Sequence, residues 1–432
     1  MPASAQTGRR QLAGPDAMPV SEAVAVILAG VEPLPAGPVR LASAAGHVLA
    51  ESITARENVP RFANSAMDGY AVRAADTASA PVRLDVVGTI PAGDYPRCAV
   101  PPGGAARIMT GAPLPDGADA VCMVERTTVT GDGRGVVIGQ VIAPGANVRM
   151  PGEDIEAGSV VFDAGTLLGP AHIGVLASLG IDAVIARRRP AVGVLSTGDE
   201  LAEDGSAPGP GQIRDANRPA LLAQVAADGL AAADLGIVSD DEAALAACLL
   251  DASRRCDVII ATGGVSVGDH DLLKAVMARL GGTSMRTLDV AIRPGRHLAV
   301  ARVGNGGADG GADGGALVFG LPGNPVAALV GYEIFVRPAL RAMAGHRALS
   351  RPRLSAVAEV TLARKPGPKL HLVRVRASRD ADGSLRVRPS GGQDSHQLRA
   401  MAAANALALL PDGPGVRAGE RVEILLLDAS EI

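Results

Sequence analysis

The sequence predicts an α/β plus β multidomain protein, with a doubly wound α/β domain at its centre and β-rich domains on either side. Three observations carry this. From Pro190 to about residue 345, apolar strand-like runs alternate with helix-like segments. The strands end in Gly-bearing turns, as in "AVGVLSTGDE", "DVIIATGGVSVGDHD" and "GALVFGLPGNP". Such alternation marks βαβ units and a parallel sheet. From Arg56 to about Gly145 the runs are short and β-like, bounded by "AGD", "PPGG", "PDGAD" and "GDGRG", the texture of a small hairpin domain. After about residue 350 β texture returns in "LSAVAEVTLA", "LHLVRVRAS" and "RVEILLL", predicting a C-terminal β-rich domain.

Taken in order, residues 1–17 read as a loose tail. Ser21 is expected to cap a helix running to about Val31. Asp154–Ile181 reads as two short strands followed by a helix after Pro170. In the central domain, Asn217 is a natural cap for "RPALLAQVAADG", with Pro219 in its first turn. Asp240 is expected to cap "EAALAACLL", and Asp269 or Asp271 to cap "LLKAVMARL". Asn324-Pro325 has the form of an N-cap and first helical residue. "HQLRAMAAANALALL" reads as one helix interrupting the C-terminal strands. The glycine-rich stretch Gly304–Ala316 reads as a loop expansion between two strands.

Composition narrows the partners. The chain has 432 residues, 47% hydrophobic and 20% charged, with a formal charge of −4, so it is globular and close to neutral. Neither nucleic acid nor an anionic membrane is expected as partner. Aromatic content of 2% and no Trp leave little with which to stack single-stranded bases. Cys98, Cys122, Cys248 and Cys256 have no CxxC spacing, and reduced thiols are expected. The longest apolar runs, such as "AVAVILAGV", are far short of a membrane span. "GRR" near the start lacks a following apolar stretch, which argues against an export signal. The expectation is a cytoplasmic protein.

Three βα turns share one design: Thr197-Gly198-Asp199-Glu200, Thr262-Gly263-Gly264-Val265-Ser266 and Leu321-Pro322-Gly323-Asn324-Pro325. In a parallel sheet such turns gather at the carboxyl ends of the strands, where ligands bind. Glycines let backbone N–H groups approach an anion, and a phosphate-bearing ligand is expected. Neither a P-loop nor a G-x-G-x-x-G fingerprint is present. Asp199, Glu200, Asp240, Asp241, Asp269 and Asp271 fall at or just after strand ends of the same domain. So many carboxylates beside a phosphate call for a divalent cation, with Mg²⁺ the usual solution. Helix capping is the competing reading for each acid taken singly. Arg293 and Arg296, flanking Pro294-Gly295, supply the counter-charge for a phosphate or other oxyanion.

The segments "NSAMDGYAVR", "RIMTGAPLPDGADAV", "GEDI", "STGDEL", "GQIRDANR", "TGGVSVGDHD" and "GLPGNPVA", with "PGRH" as a variant, resemble in order the molybdopterin molybdenumtransferase family, which includes MoeA and the gephyrin E domain. The resemblance implies a molybdopterin-binding α/β domain at 190–345 and a C-terminal, β-barrel-like domain at 346–432. It further implies an elongated, discontinuous dimerisation region (18–55 and 146–189) with a small β domain (56–145) inserted. It implies a homodimer acting on adenylated molybdopterin and molybdate, with Mg²⁺, and releasing AMP. A molybdopterin adenylyltransferase is an implied partner. Carried over by motif, the functional acids are Asp68, Asp154, Glu200, Asp240 and Asp271, of which Glu200, Asp240 and Asp271 are the implied metal ligands. The implied substrate-binding set is Thr110, Ser196, Thr197, Gly198, Gly263, Gly264, Ser266, Arg293, Arg296, Pro322, Gly323, Asn324 and Pro325. The sequence departs from the family where members commonly read K-P-G-K-P: here stands Arg293-Pro294-Gly295-Arg296-His297, and a position often held by Lys is Asp289. Ala327 replaces a Ser found in several members. A non-catalytic dimeric scaffold is the alternative, and a general nucleotidyl or nucleotide-sugar enzyme is disfavoured by the ordered motif set.

Overall fold

The computed structural model describes residues 17–97, 99–203, 205–263, 272–304, 315–430 and 432. The expected loose tail, the loop around Asn305–Gly314 and the segment Gly264–Asp271 lie outside the described residues. The chain forms two compact units.

One unit comprises residues 37–45 and 49–186. Its main feature is a six-stranded sheet, ordered Ala120–Met123, Gly69–Val72, Gly104–Ile108, Val82–Ile90, Gly135–Ile138 and Thr127–Val129. Side chains alternate between its faces, so Tyr70 and Val72 enter one small core while Ala71 enters another with Ile90 and Ile108. Gly69 is required by this packing: a Cβ there would lie 2.0 Å from the Cys122 carbonyl. Helix Pro170–Ser178 forms after Pro170 as expected, its Leu176 packing with Leu49, Leu168 and Val184. The stretch Asp154–Ile181 carries one strand rather than two. Val160–Phe162 pairs with Ile53–Thr54, and Ile155 makes only an isolated bridge to Val59.

The other unit comprises residues 1–36, 46–48 and 187–432. Helix α1 (Val20–Leu28) begins after Pro19. Ser21, expected as its cap, is therefore already inside the helix. Ala23 and Ile27 bury one face of α1 in the core shared with the α/β sheet. That sheet has six strands. Four are parallel neighbours: β2 (Ala232–Val238), β1 (Val192–Thr197), β3 (Val258–Thr262) and β6 (Ala316–Leu321). Of the remaining two, β5 (His297–Val303) pairs antiparallel with β6, and β4 (Arg286–Asp289) pairs antiparallel with β5. The sheet is thus mixed, where an all-parallel one was expected. Antiparallel neighbours need only a hairpin connection, whereas a parallel pair needs a crossover long enough for a helix.

Both faces of the sheet are covered. In β3, Val258 and Ile260 point into one core while Ile259 and Ala261 point into the other. Helix α2 (Asn217–Ala227) buries Leu221 and Val225 on the first face, with α5 (Pro325–Gly331) beside it. Helices α3 (Glu242–Ser253) and α4 (Leu272–Gly281) cover the second face through Leu245, Leu249, Leu273 and Val276. Each such buried Leu or Val contributes roughly 1.5–3 kcal/mol by leaving water. A π-helical turn, Tyr332–Val336, leads into α6 (Arg337–Met343).

Two further caps differ from expectation. Asp241, not Asp240, caps α3, its carboxylate accepting from the Ala244 amide at 2.7 Å. At α2 the carboxylate of Asp215 accepts from the amides of Asn217 and Arg218, so Asn217 is the first helical residue, not the cap. Asn324 holds the cap position of α5, with Pro325 following, but its side chain makes no capping bond.

The C-terminal strands close into a barrel-like ring. Strands β7 (Arg353–Ala358), β8 (Leu370–Arg379), β9 (Leu385–Pro389), β10 (Ala406–Leu410) and β11 (Arg421–Leu426) pair in the order β8-β9-β7-β11-β10, and β10 returns to β8. The stretch read as one long helix divides: Leu398–Ala402 is a short helix, while "ALALL" is β10, buried at every residue. A fully buried apolar run has no polar face to give it a period, so local pattern cannot separate helix from strand there.

Candidate active site

The turns after β1, β3 and β6 lie side by side, because these strands are adjacent in the sheet. Their glycines serve close packing. A Cβ on Gly263 (φ +119°) would meet Thr197 Oγ1 at 2.4 Å, and one on Gly198 (φ +144°) would meet the Glu200 carboxylate at 2.4 Å. Their amides are already committed: Gly263 N–H donates to the Leu321 carbonyl and Gly198 N–H to that of Val238. The expectation that these amides are open to an anion is corrected accordingly. Gly264, Ser266, Asp269 and Asp271 lie outside the described residues.

Ser196 and Thr197, expected to bind substrate, are buried and held by protein partners. Ser196 Oγ donates to Asp215 Oδ1 at 3.0 Å and lies 3.0 Å from Thr262 Oγ1, while Thr197 Oγ1 donates to the Thr262 carbonyl. They brace the strand ends from beneath. Asp215 extends that bracing to α2 through the Arg218 guanidinium at 3.1 Å, and Arg218 reaches on to Asp234. Asn217 Nδ2 donates to the Gly323 carbonyl at 2.8 Å, tying the start of α2 to the turn after β6.

Above these turns opens a cleft of about 1120 Å³ between the α/β sheet and the barrel. Glu200, Arg293, Arg296, Pro322, Gly323 and Asn324 all line it. Asp240 does not. It brackets Asp199 instead, its amide donating to Asp199 Oδ1 at 3.0 Å and its Oδ2 accepting from the Asp199 amide at 3.4 Å. Among the described residues no group of three or more His, Cys, Asp or Glu is placed to hold a metal ion. The donor chemistry that is present, the exposed carboxylate of Glu200 folded over Gly198 with Asp240 on the neighbouring strand end, suits a hard cation that takes one or two carboxylates and completes its shell from phosphate and water.

The opposite wall is basic and was not singled out in the sequence. Lys365-Pro366-Gly367-Pro368-Lys369 lines the cleft from the barrel side. Arg364 organises this loop. Its buried guanidinium donates to the carbonyls of Lys365, Gly367 and Lys369, and also to those of Leu410 and Pro411. Main-chain pairing seats the loop beside Arg293: Ile292–Arg293 runs parallel to Leu370–His371, and the Leu370 amide donates to the Ala291 carbonyl. The signal that could have found it is its likeness to "RPGR", with cations flanking a Pro-Gly turn in "RKPGPK".

Within the cleft the charges differ in availability. Arg296 is clamped by Asp289, Nε to Oδ1 at 2.5 Å and Nη2 to Oδ2 at 2.6 Å. The Arg296 hydrogen bonds hold the Asp289 carboxyl below the usual range. Among the described residues, Arg293 makes a loose 3.9 Å approach to Asp394, both side chains being exposed. Burial, reinforced by Arg364, Arg293 and Lys369, pushes His371 down to about 4, so it is neutral near pH 7. Behind the segment Gly392–Asp394, Arg374 is fully buried and donates to the Gly392 and Asp394 carbonyls. Its Nε and Nη1 have no hydrogen-bond partner among the described residues.

The unit of residues 37–45 and 49–186 holds the other expected residues. Asp68 Oδ1 accepts from both the amide (2.7 Å) and the hydroxyl (2.8 Å) of Thr110, which keeps its carboxyl below the usual range. Asp154 is exposed, its amide donating to the Val59 carbonyl.

Comparison with known proteins decides the family. A Molybdopterin molybdenumtransferase of Haemophilus influenzae is 38% identical over 386 residues, covering 89% of this chain and 92% of that protein. The chain belongs to the molybdopterin molybdenumtransferase family. A second relative of that name, from Bacillus subtilis, is 37% identical over 88% of the chain and 87% of its own length. Residues 18–180 match the MoeA N-terminal region (domain I and II), 193–342 a probable molybdopterin binding domain, and 358–427 the MoeA C-terminal region (domain IV). The crystal structure of the molybdopterin biosynthesis MoeA protein from Pyrococcus horikoshii superposes with a TM-score of 0.78 at 30% identity, covering 95% of this chain and all of that one. The mixed α/β fold and closed C-terminal barrel are those of this family.

Proposed function

We propose that this chain is a molybdopterin molybdenumtransferase, taking adenylated molybdopterin and molybdate, placing the metal on the dithiolene sulfurs and releasing AMP. The observation that carries the reading is the cleft itself. One wall presents Glu200 beside the strand-end turns; the other presents Arg293, Lys365 and Lys369. A ligand bearing phosphate and an oxyanion is complementary to such a pair of walls. The basic wall attracts and orients the anions. Glu200, with Asp240 and Asp271, would hold Mg²⁺, which when bound supplies charge neutralisation at the phosphoanhydride.

Supporting the homodimer reading, the unit of residues 37–45 and 49–186 exposes Phe62, Met150, Val160 and Leu167, a set of large apolar side chains suited to burial against a second copy. Asp68, Thr110 and Asp154 belong to the site in that reading. A molybdopterin adenylyltransferase would supply the substrate. No described helix is long and apolar enough to cross a membrane, which agrees with a cytoplasmic place of action. The test is AMP release from adenylated molybdopterin with molybdate and Mg²⁺. A folded protein that releases no AMP, and does not restore molybdoenzyme activity to a strain lacking its own insertase, would remove the catalytic reading and leave the scaffold.

A further inference from the structure

Arg296, which lines the cleft, is paired from behind with Asp289, which does not itself line it. Asp289 ends β4, its carbonyl accepts from the Met18 amide at 2.8 Å, and it stands opposite His297 in the β4–β5 register. Its backbone is therefore fixed. From that position its carboxylate takes the Nε and Nη2 donors of Arg296 in a two-point fork. This is the geometry in which an arginine binds a carboxylate or phosphate ligand. The Arg296 side chain is 20% exposed and that of Asp289 41%, so water screens the pair in part. The same carboxylate lies 4.0 Å from His297 Nδ1 and within the field of Lys369.

We propose that Asp289 is a built-in counter-anion that sets how strongly the cleft binds its anionic substrate. It occupies the fork of Arg296 and offsets that charge, so Arg296 acts as a strut and the anion is held by Arg293, Lys365 and Lys369. Asp289 thereby weakens binding, repelling any dianion that approaches the loop Arg293–Arg296. A merely structural Asp289 would do the reverse, since its loss would loosen Arg296 and weaken binding.

This inference rests on the reading of the cleft as the substrate site, and titration calorimetry of molybdate on the full chain separates the two. Asp289→Asn is expected to bind molybdate about tenfold more tightly than the unmodified protein, the size expected from removing a like charge at close range. Its affinity should also fall more steeply with added salt. Asp289→Glu, which keeps the carboxylate, should stay near the original affinity. Unchanged or weaker binding by a folded Asp289→Asn protein overturns the proposal, as does absence of measurable binding in both proteins. Asp289→Ser gives the same comparison should the Asn variant fail to fold. The substrate-site reading fails separately if Arg293→Gln leaves molybdate binding intact.

Discussion

The Arg364 guanidinium donates to the Lys369 carbonyl at 2.7 Å, and through that bond and its companions a buried cation shapes a loop of exposed ones. Arg364 itself is too enclosed to meet a ligand. Its contribution is to hold Lys365 and Lys369 at the rim of the cleft, next to Arg293.

Arg364→Met should therefore damage both stability and binding. Five carbonyls, that of Leu410 buried and the others part-buried, lose a charged donor, a loss of roughly 3–5 kcal/mol. Urea unfolding should show a lower midpoint at similar slope. In any folded fraction, KM for the anionic substrate should rise more than kcat falls.

Arg293 is exposed and loosely paired, so Arg293→Gln should leave unfolding almost unmoved. The loss of one charge-assisted contact should raise KM about tenfold, the scale of a charged hydrogen bond at 1.5–3 kcal/mol being its upper bound. Steady-state AMP release at several substrate concentrations checks this.

Gly198 has no room for a side chain because Glu200 folds over it. Gly198→Ala should displace the Glu200 carboxylate and strain the backbone, costing about 1–3 kcal/mol of stability. Activity should fall by at least about tenfold if that carboxylate positions the cation. The Mg²⁺ concentration for half-maximal activity should rise in step.

His371 and His346 are each held down to about 4 by burial, with neighbouring arginines adding to it. A His whose folded pKa lies below its unfolded value resists a proton that the unfolded chain accepts. Stability is therefore intact above the unfolded value near 6.5 and declines as pH falls toward about 4. Melting temperatures between pH 7 and pH 4 should show this decline, and the double variant His346→Gln/His371→Gln should flatten it.

Asp215 gathers Ser196, two amides of α2 and the Arg218 guanidinium. Asp215→Ala should cost roughly 3–5 kcal/mol, since Arg218 remains buried after losing the carboxylate of Asp215. Asn217→Ala removes only the tie to Gly323 and should alter kcat or KM with a smaller stability change. Chemical denaturation beside kinetics separates these outcomes.

Much of the site was legible locally. Strand-turn-helix alternation, the Gly-bearing turns and the acids beside them are properties of short stretches, and they placed Glu200, Pro322, Gly323 and Asn324 at the cleft. Cap assignments at Ser21, Asn217 and Asp240 slipped by one or two residues. Asp215 and Asp241 take the amides expected of Asn217 and Asp240, and at α1 the helix starts directly after Pro19 with no side-chain cap. "ALALL" was lost as a strand because burial on all sides erases periodicity.

The sequence by itself determined the family, the α/β core, and the presence of carboxylates and cations for a phosphate-bearing ligand, since spacing and turn chemistry are encoded residue by residue. Only the tertiary structure decided which charges are available. Ser196 is turned under the sheet to Asp215, Arg296 is held by Asp289, and Lys365 and Lys369 reach the cleft because Leu370–His371 pairs with Ile292–Arg293. A charge's role depends on the partner that reaches it first, and such partners, distant along the chain or not, are chosen by strand register and close packing, which no short stretch of sequence specifies.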